Sequence, residues 1–225
     1  MNGPIPPLRA ILFDFDGTIV DSAELSYHCY VRAFERFGIA FDRERFETTY
    51  SPNWRHTYEQ LGLPSERWEE ADALWLEQYA AGECRLIDGV APAVRRLERS
   101  GLRLGIVTSG SRSRVTPEIA ALGLEGTFEV VVCAEDVRNR KPHPEGLERG
   151  IARLGVSPGE AAYVGDSPED VAMARAARVF AIAVPGTYPN RSSLLAAPAD
   201  LHATRLDAAV DAILAGRAPL TTADS

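Results

Sequence analysis

Two aspartates one residue apart, Asp14 and Asp16, follow the apolar run Ala10–Phe13 and precede Gly17-Thr18. An apolar run of that length, bounded by a turn signal, reads as a short buried strand. Alternate side chains of a strand share a face, so the two carboxylates point the same way if the strand stays straight. Gly17 lets the chain break there, because positive φ costs glycine little. Carboxylates at the carboxyl end of a central strand stand where open α/β sheets bind ligands. A bare D-x-D is ordinarily an Asx-rich turn, so other residues must carry the argument.

Three further stretches bring such residues. Thr108-Ser109-Gly110 closes an apolar run over residues 102–107. A hydroxyl and backbone N–H groups at a helix start can grip a phosphate, or simply cap the helix. Lys141-Pro142-His143-Pro144-Glu145 contains the single lysine among 24 basic residues. A compact ammonium on a flexible stem is not interchangeable with a planar guanidinium at a crowded phosphate, and the two prolines stiffen its loop. Gly165-Asp166-Ser167-Pro168-Glu169-Asp170 follows a short apolar run at 161–164. Its carboxylates could ligate Mg²⁺, which takes few protein oxygens and keeps waters, or favour a helix start.

Taken in order, Asp14-Phe15-Asp16-Gly17-Thr18 with Val20-Asp21-Ser22, Thr108-Ser109-Gly110, Lys141-Pro142 and Gly165-Asp166-Ser167-Pro168-Glu169-Asp170 resemble the four motifs of the haloacid dehalogenase-like phosphatases. The resemblance covers residues 10–184 and departs mildly at Arg140 and Arg178, where the family commonly has glycine. It implies Asp14 as nucleophile, Asp16 as general acid and base, and Thr108 and Lys141 as holders of the transferring phosphoryl group. It places Ser109 and Gly110 against the substrate, Mg²⁺ on Asp14, the Asp16 carbonyl and Asp166, and Asp170 behind the metal.

Asp16 favours phosphate chemistry over dehalogenation, since the dehalogenases lack that residue. Residues 22–84 contain no lysine, which argues against the Schiff-base phosphonate hydrolases of the superfamily. Hexose-phosphate mutases carry a histidine where Ser26 stands here, with His28 two positions off. The resemblance is greatest to phosphoglycolate phosphatases, acting on a small phosphate ester. Arg55 could clamp a substrate carboxylate, or its stretch could be a solvent-facing helix start with a buried Trp54; Arg112 and Arg114 are further candidates. The alternatives are a hexose-phosphate mutase and a non-hydrolytic protein that binds phosphorylated ligands. The second should have lost Asp14, Asp16 or Lys141, and all three are present.

The elements that must position these residues follow from periodicity. Residues 22–84 read as helical throughout, with segments at 25–37, 41–50, 53–61 and 65–81, the last capped by Ser65. This reads as a small helical bundle inserted after the first strand, which the resemblance makes a helical cap domain of residues 22–84 on a core domain of residues 1–21 and 85–225. In the core, strands at 102–107, 128–133, 161–164 and 179–184 alternate with helices at 90–97, 115–122, 147–154, 171–177 and 206–214. Such alternation predicts an α/β fold, a Rossmann-like parallel sheet with helices on both faces.

Composition sets the outer bounds. The 225 residues are 45% apolar and 25% charged, an ordinary globular balance. A net charge of -8 argues against nucleic acid as a partner. No run approaches a membrane span, and residues 1–8, with three prolines, do not form a signal peptide. Cys29, Cys84 and Cys133 suggest no disulfide framework, so a reducing cytoplasm is expected. The tail from Gly216 is expected to fray. Nothing in the sequence separates a monomer from a homodimer.

Overall fold

The computed structural model describes residues 5–216, and the expectations for the first four residues and for the tail beyond Gly216 lie outside it. A six-stranded sheet is built from β1 (Ala10–Phe13), β4 (Arg103–Val107), β5 (Val130–Val132), β6 (Ala161–Gly165), β7 (Phe180–Ala183) and β8 (Leu201–His202). Its order is β5-β4-β1-β6-β7-β8, every neighbouring pair parallel. Strands buried on both faces read as unbroken apolar runs, as β1 does in Ala-Ile-Leu-Phe.

The pleat of β1 divides the core. Ile11 and Phe13 face α5 (Val90–Arg99) and α10 (Leu206–Ala215), sharing a cluster with Val94, Leu97, Val210 and Ile213. Ala10 and Leu12 face α7 (Glu145–Arg153) and α8 (Pro168–Ala176), with Leu147, Ile151 and Met173. Ala10 pairs with Arg103 on one side and Ala161 on the other. Successive strands therefore leave β1 in opposite directions, and the crevice at this switch point lies beyond the carboxyl ends of β1, β4 and β6.

Between β2 (Val20–Asp21) and β3 (Arg85–Leu86) run α1 (Ala23–Glu35), α2 (Arg43–Thr49), α3 (Trp54–Gln60) and α4 (Trp68–Ala80). These helices enclose a separate aromatic cluster around Phe34, Tyr58, Phe46 and Phe41. Phe34 and Tyr58 meet edge to face at 5.7 Å. Burying a side chain like Phe34 contributes about 1.5–3 kcal/mol. The structure differs from expectation at short elements. β2 and β3 pair antiparallel, β8 adds a sixth strand, and α9 (Arg191–Ala196) precedes it. Strands of two residues carry no period to read. Ser65 opens a 3-10 turn over Ser65–Arg67 rather than capping α4, whose N-cap is Arg67. α6 (Arg112–Ala121) begins before the apolar stripe does, directly behind the Thr108 loop.

Candidate active site

Asp14 continues β1 by one residue, its N–H donating to the Val164 carbonyl at 2.9 Å. The chain then doubles back, with Gly17 at φ +79° and its N–H on the Val20 carbonyl at 2.8 Å. A Cβ on Gly17 would stand 2.2 Å from Asp166 Oδ2. Glycine is required there both for its conformation and for the close approach. Asp166 follows β6, and Thr18 Oγ1 donates to its Oδ1 at 3.3 Å.

Lys141 is buried, and its Nζ lies 2.8 Å from Asp14 Oδ1 and 2.7 Å from Asp170 Oδ1. Asp170 opens α8 in a reciprocal cap with Ser167, whose N–H and Oγ donate to Asp170 Oδ2 at 3.1 and 2.7 Å. Three buried carboxylates, Asp14, Asp166 and Asp170, thus offer oxygens within 4.8 Å of one another. Burial, with the charges of Asp170 and Asp16, pushes the Asp14 carboxyl up to about 7 against the pull of Lys141. Burial and the Asp14 and Asp170 charges raise Asp166 well above the usual carboxylate range. Burial also works against the Lys141 charge, but Asp14 and Asp170 overcome it and hold the ammonium protonated.

This cluster fits a hard dication. The cluster holds three carboxylates and one ammonium, which pairs with Asp14 and Asp170, and Asp166 Oδ2 is buried with no hydrogen-bond partner, a state that favours a bound cation. Both oxygens of Asp170 are engaged by Lys141 and Ser167. Asp14 and Asp166 are therefore the side chains that would hold Mg²⁺.

Asp14 and Asp16 also line a cavity of about 300 Å³ beside the helices of residues 23–80. Thr108, Ser109 and Gly110 line the same cavity. Thr108 Oγ1 accepts from the Gly110 N–H at 3.0 Å, whereas Ser109 Oγ is buried without a partner. Asp16 accepts from Ser22 Oγ at 2.7 Å and from both terminal nitrogens of Arg114. The far wall is aromatic, with Tyr30, Tyr50, Trp54, Tyr58, Trp75 and Tyr188.

The sequence candidates are not all brought together. Arg55 is exposed, with its guanidinium 5.7 Å from the Trp68 ring, and does not line the cavity. It sits one position past Trp54, and Trp54 takes the inward-facing place. Arg112 turns to Asp136 at the half-exposed rim. Ser26 lines the cavity, while His28 is exposed beside Glu24. Sequence reasoning missed Thr18, Ser22 and Tyr188. Thr18 and Ser22 stand in the first motif without an assigned role, and Tyr188 reaches the site from a loop without a readable period. Arg140 was visible as a departure from the motif, without a role.

The sequence profile of the haloacid dehalogenase-like hydrolases matches residues 11–184, and the chain belongs to that family. Phosphoglycolate phosphatase of Synechococcus elongatus is 31% identical over 207 residues, 86% of this chain and 91% of that protein. Pyrophosphatase PpaX of Halalkalibacterium halodurans is 30% identical over 168 residues, 73% of this chain and 77% of that protein. The solved structure of CbbY from Rhodobacter sphaeroides in complex with phosphate has a TM-score of 0.77 at 25% identity, covering 89% of this chain and 95% of that one. The chain is thus an enzyme of the hydrolase class that this fold and site define. No helix among the described residues is long and apolar enough to cross a membrane.

Proposed function

We propose that the chain is a Mg²⁺-dependent phosphatase that hydrolyses a small organic phosphomonoester through an aspartyl-phosphate. The observation that carries this reading is the buried Asp14–Lys141–Asp170 array, open at Asp14 to the cavity that also holds Thr108. A dianionic ester repels a carboxylate, so attack needs a concentrated positive field. Lys141 supplies part of it, and Mg²⁺ on Asp14, the Asp16 carbonyl and Asp166 would neutralise further charge. An Asp14 oxygen bonds to phosphorus as the bond to the leaving oxygen breaks. Asp16 gives that oxygen its proton and later takes one from the water that attacks the phosphorus, releasing phosphate and restoring Asp14. Thr108 and Lys141 hold the phosphoryl oxygens, with Ser109 and Gly110 beside them.

Residues 22–84 act as a cap over this site, the β2–β3 pair marking where they leave and rejoin the core of residues 1–21 and 85–225. Cap closure excludes water from the first half-reaction. The resemblance to the Synechococcus elongatus phosphoglycolate phosphatase makes a phosphoglycolate-like ester the preferred substrate class. The three thiols are unpaired, which suits a reducing cytoplasm. The exposed His28 favours hydrolysis over a mutase.

The test is phosphate release from a panel of small phosphomonoesters with Mg²⁺, wild type beside Asp14→Asn. Release that needs Mg²⁺ and vanishes in the variant supports the route. No release from any ester by folded, Mg²⁺-loaded protein overturns it. Product analysis with glucose 1-phosphate separates hydrolysis from phosphoryl transfer within the sugar.

A further inference from the structure

Two cations among the described residues line the cavity beside Asp14, Arg114 and Arg140. Arg114 is committed to Asp16 and Glu118. Arg140 is not committed. It enters no ion pair among the described residues, and its Nη1 is buried without a hydrogen-bond partner. Its guanidinium lies over the Trp54 ring, 3.9 Å from the centroid. Stacking of this kind fixes the plane of the fork and leaves its N–H edge available.

The charged groups that influence Arg140 are Asp72 on α4, Glu135 just after β5, and Arg55 on α3. Neither carboxylate pairs with it. Burial and Arg55 press against its charge more than Asp72 and Glu135 relieve it. Buried charged donors are normally satisfied, and an unmade bond to one is expensive. Three other buried donors on the same cavity, Ser109 Oγ, Trp54 Nε1 and Trp75 Nε1, also lack partners. Four unanswered donors around one cavity describe a complement of acceptor oxygens.

Position along the chain adds a second argument. Lys141, the next residue, points into the carboxylate cluster, while Arg140 points into the cavity. One loop thus presents an ammonium at the reacting pole and a guanidinium to the remainder of the ligand. We propose that Arg140, held by Trp54, is the specificity-determining residue that binds a second anionic group, a carboxylate or a second phosphoryl, on the leaving-group side of the phosphomonoester. This rests on the phosphatase reading above and replaces Arg55 as the clamp.

The test is equilibrium binding to an Asp14→Asn background, which removes turnover, by titration calorimetry with Mg²⁺ present. The probes are phosphoglycolate, propanediol bisphosphate and ethyl phosphate, with a carboxylate, phosphate and neutral tail respectively. At least one anionic-tail probe is expected to bind about ten- to hundredfold tighter than ethyl phosphate, the range of one charge-assisted contact. Whichever of the two does so identifies the source of the anion. Adding Arg140→Gln should remove that preference, and Arg140→Lys should keep part of it. Equal affinity for all three probes, or a preference that survives Arg140→Gln in a folded protein, overturns the proposal. Should Arg140→Gln not fold, the partial preference in Arg140→Lys decides in its place. Wild-type phosphate release is measured separately. Its absence would sink the phosphatase reading while the binding preference still reports on Arg140.

Discussion

Arg114 and Asp16, 98 residues apart in the sequence, form a two-pronged ion pair in which each terminal nitrogen meets one carboxylate oxygen. The same guanidinium reaches Glu118 at 2.8 Å and the Tyr79 hydroxyl at 3.1 Å. The pair therefore ties the motif carboxylate to α6 and to the end of α4. Its side chains are 8% and 21% exposed, so water screens it poorly. Arg114→Leu leaves two carboxylates without their counter-charge, and a loss of about 2–4 kcal/mol is expected by urea unfolding. Asp16→Asn added to Arg114→Leu should cost less than the sum of the two single changes, as a double-mutant cycle will read.

Lys141 is the single lysine of the chain and is 5% exposed. Amine acylation of the native protein, read by mass spectrometry, should therefore spare Lys141 and label it only after unfolding. Lys141→Ala should lower kcat by about a hundredfold or more, the scale of removing one charge-stabilising donor. Lys141→Arg should not restore it, because a fork does not fit where one nitrogen meets Asp14 and Asp170 within 2.8 Å.

Asp14 and Asp166 give the pH dependence a definite sign. The Asp14 carboxyl, ordinarily at 3.8, is pushed up to about 7, and Asp166 is raised with it. Between those values the folded protein holds protons that the unfolded chain has released. The stability of protein stripped of divalent ions should fall as pH rises from about 4 to about 7. Mg²⁺ competes with those protons, so the rise in Tm on adding it should grow with pH. Scanning calorimetry with and without Mg²⁺ across this range is the check, and Asp166→Asn should flatten both trends.

Gly186 packs against the first motif. A Cβ there would lie 2.1 Å from the Gly17 carbonyl oxygen and 2.7 Å from Asp166 Oδ2. Backbone cannot yield as a side-chain tip can, so Gly186→Ala should displace the Gly17 turn. A loss of about 1–3 kcal/mol is expected, together with a smaller Mg²⁺-dependent gain in Tm. Gly159→Ala, where nothing lies within 4 Å of the added carbon, is the matched control.

Much of this protein could be read along the chain because its signals are local. β1 is found at the four residues that its apolar run predicts, since a strand buried on both faces must be continuously apolar. Asp14, Lys141, Asp166 and Asp170 were nameable because they stand in the ordered motifs that carry the family resemblance, Asp14 and Asp166 directly after a strand. The helical stretch after Ser22 was legible from its three- and four-residue spacing.

What the chain does not announce is which side chains meet across it. Arg55 and Arg140 are both arginines beside aromatic or motif residues, and only packing sends one to solvent and the other onto Trp54. Arg114 was one of several candidates until the approach of α6 to β1 brought it onto Asp16. Tyr188 and the short β2, β3 and β8 have no periodicity, because their places depend on neighbours supplied by distant segments. Local sequence determined the strand ends, the caps and the residue types at the candidate site. The tertiary structure alone decided the partners of each charge, since a guanidinium takes whichever carboxylate or ring the fold brings within about 3–6 Å.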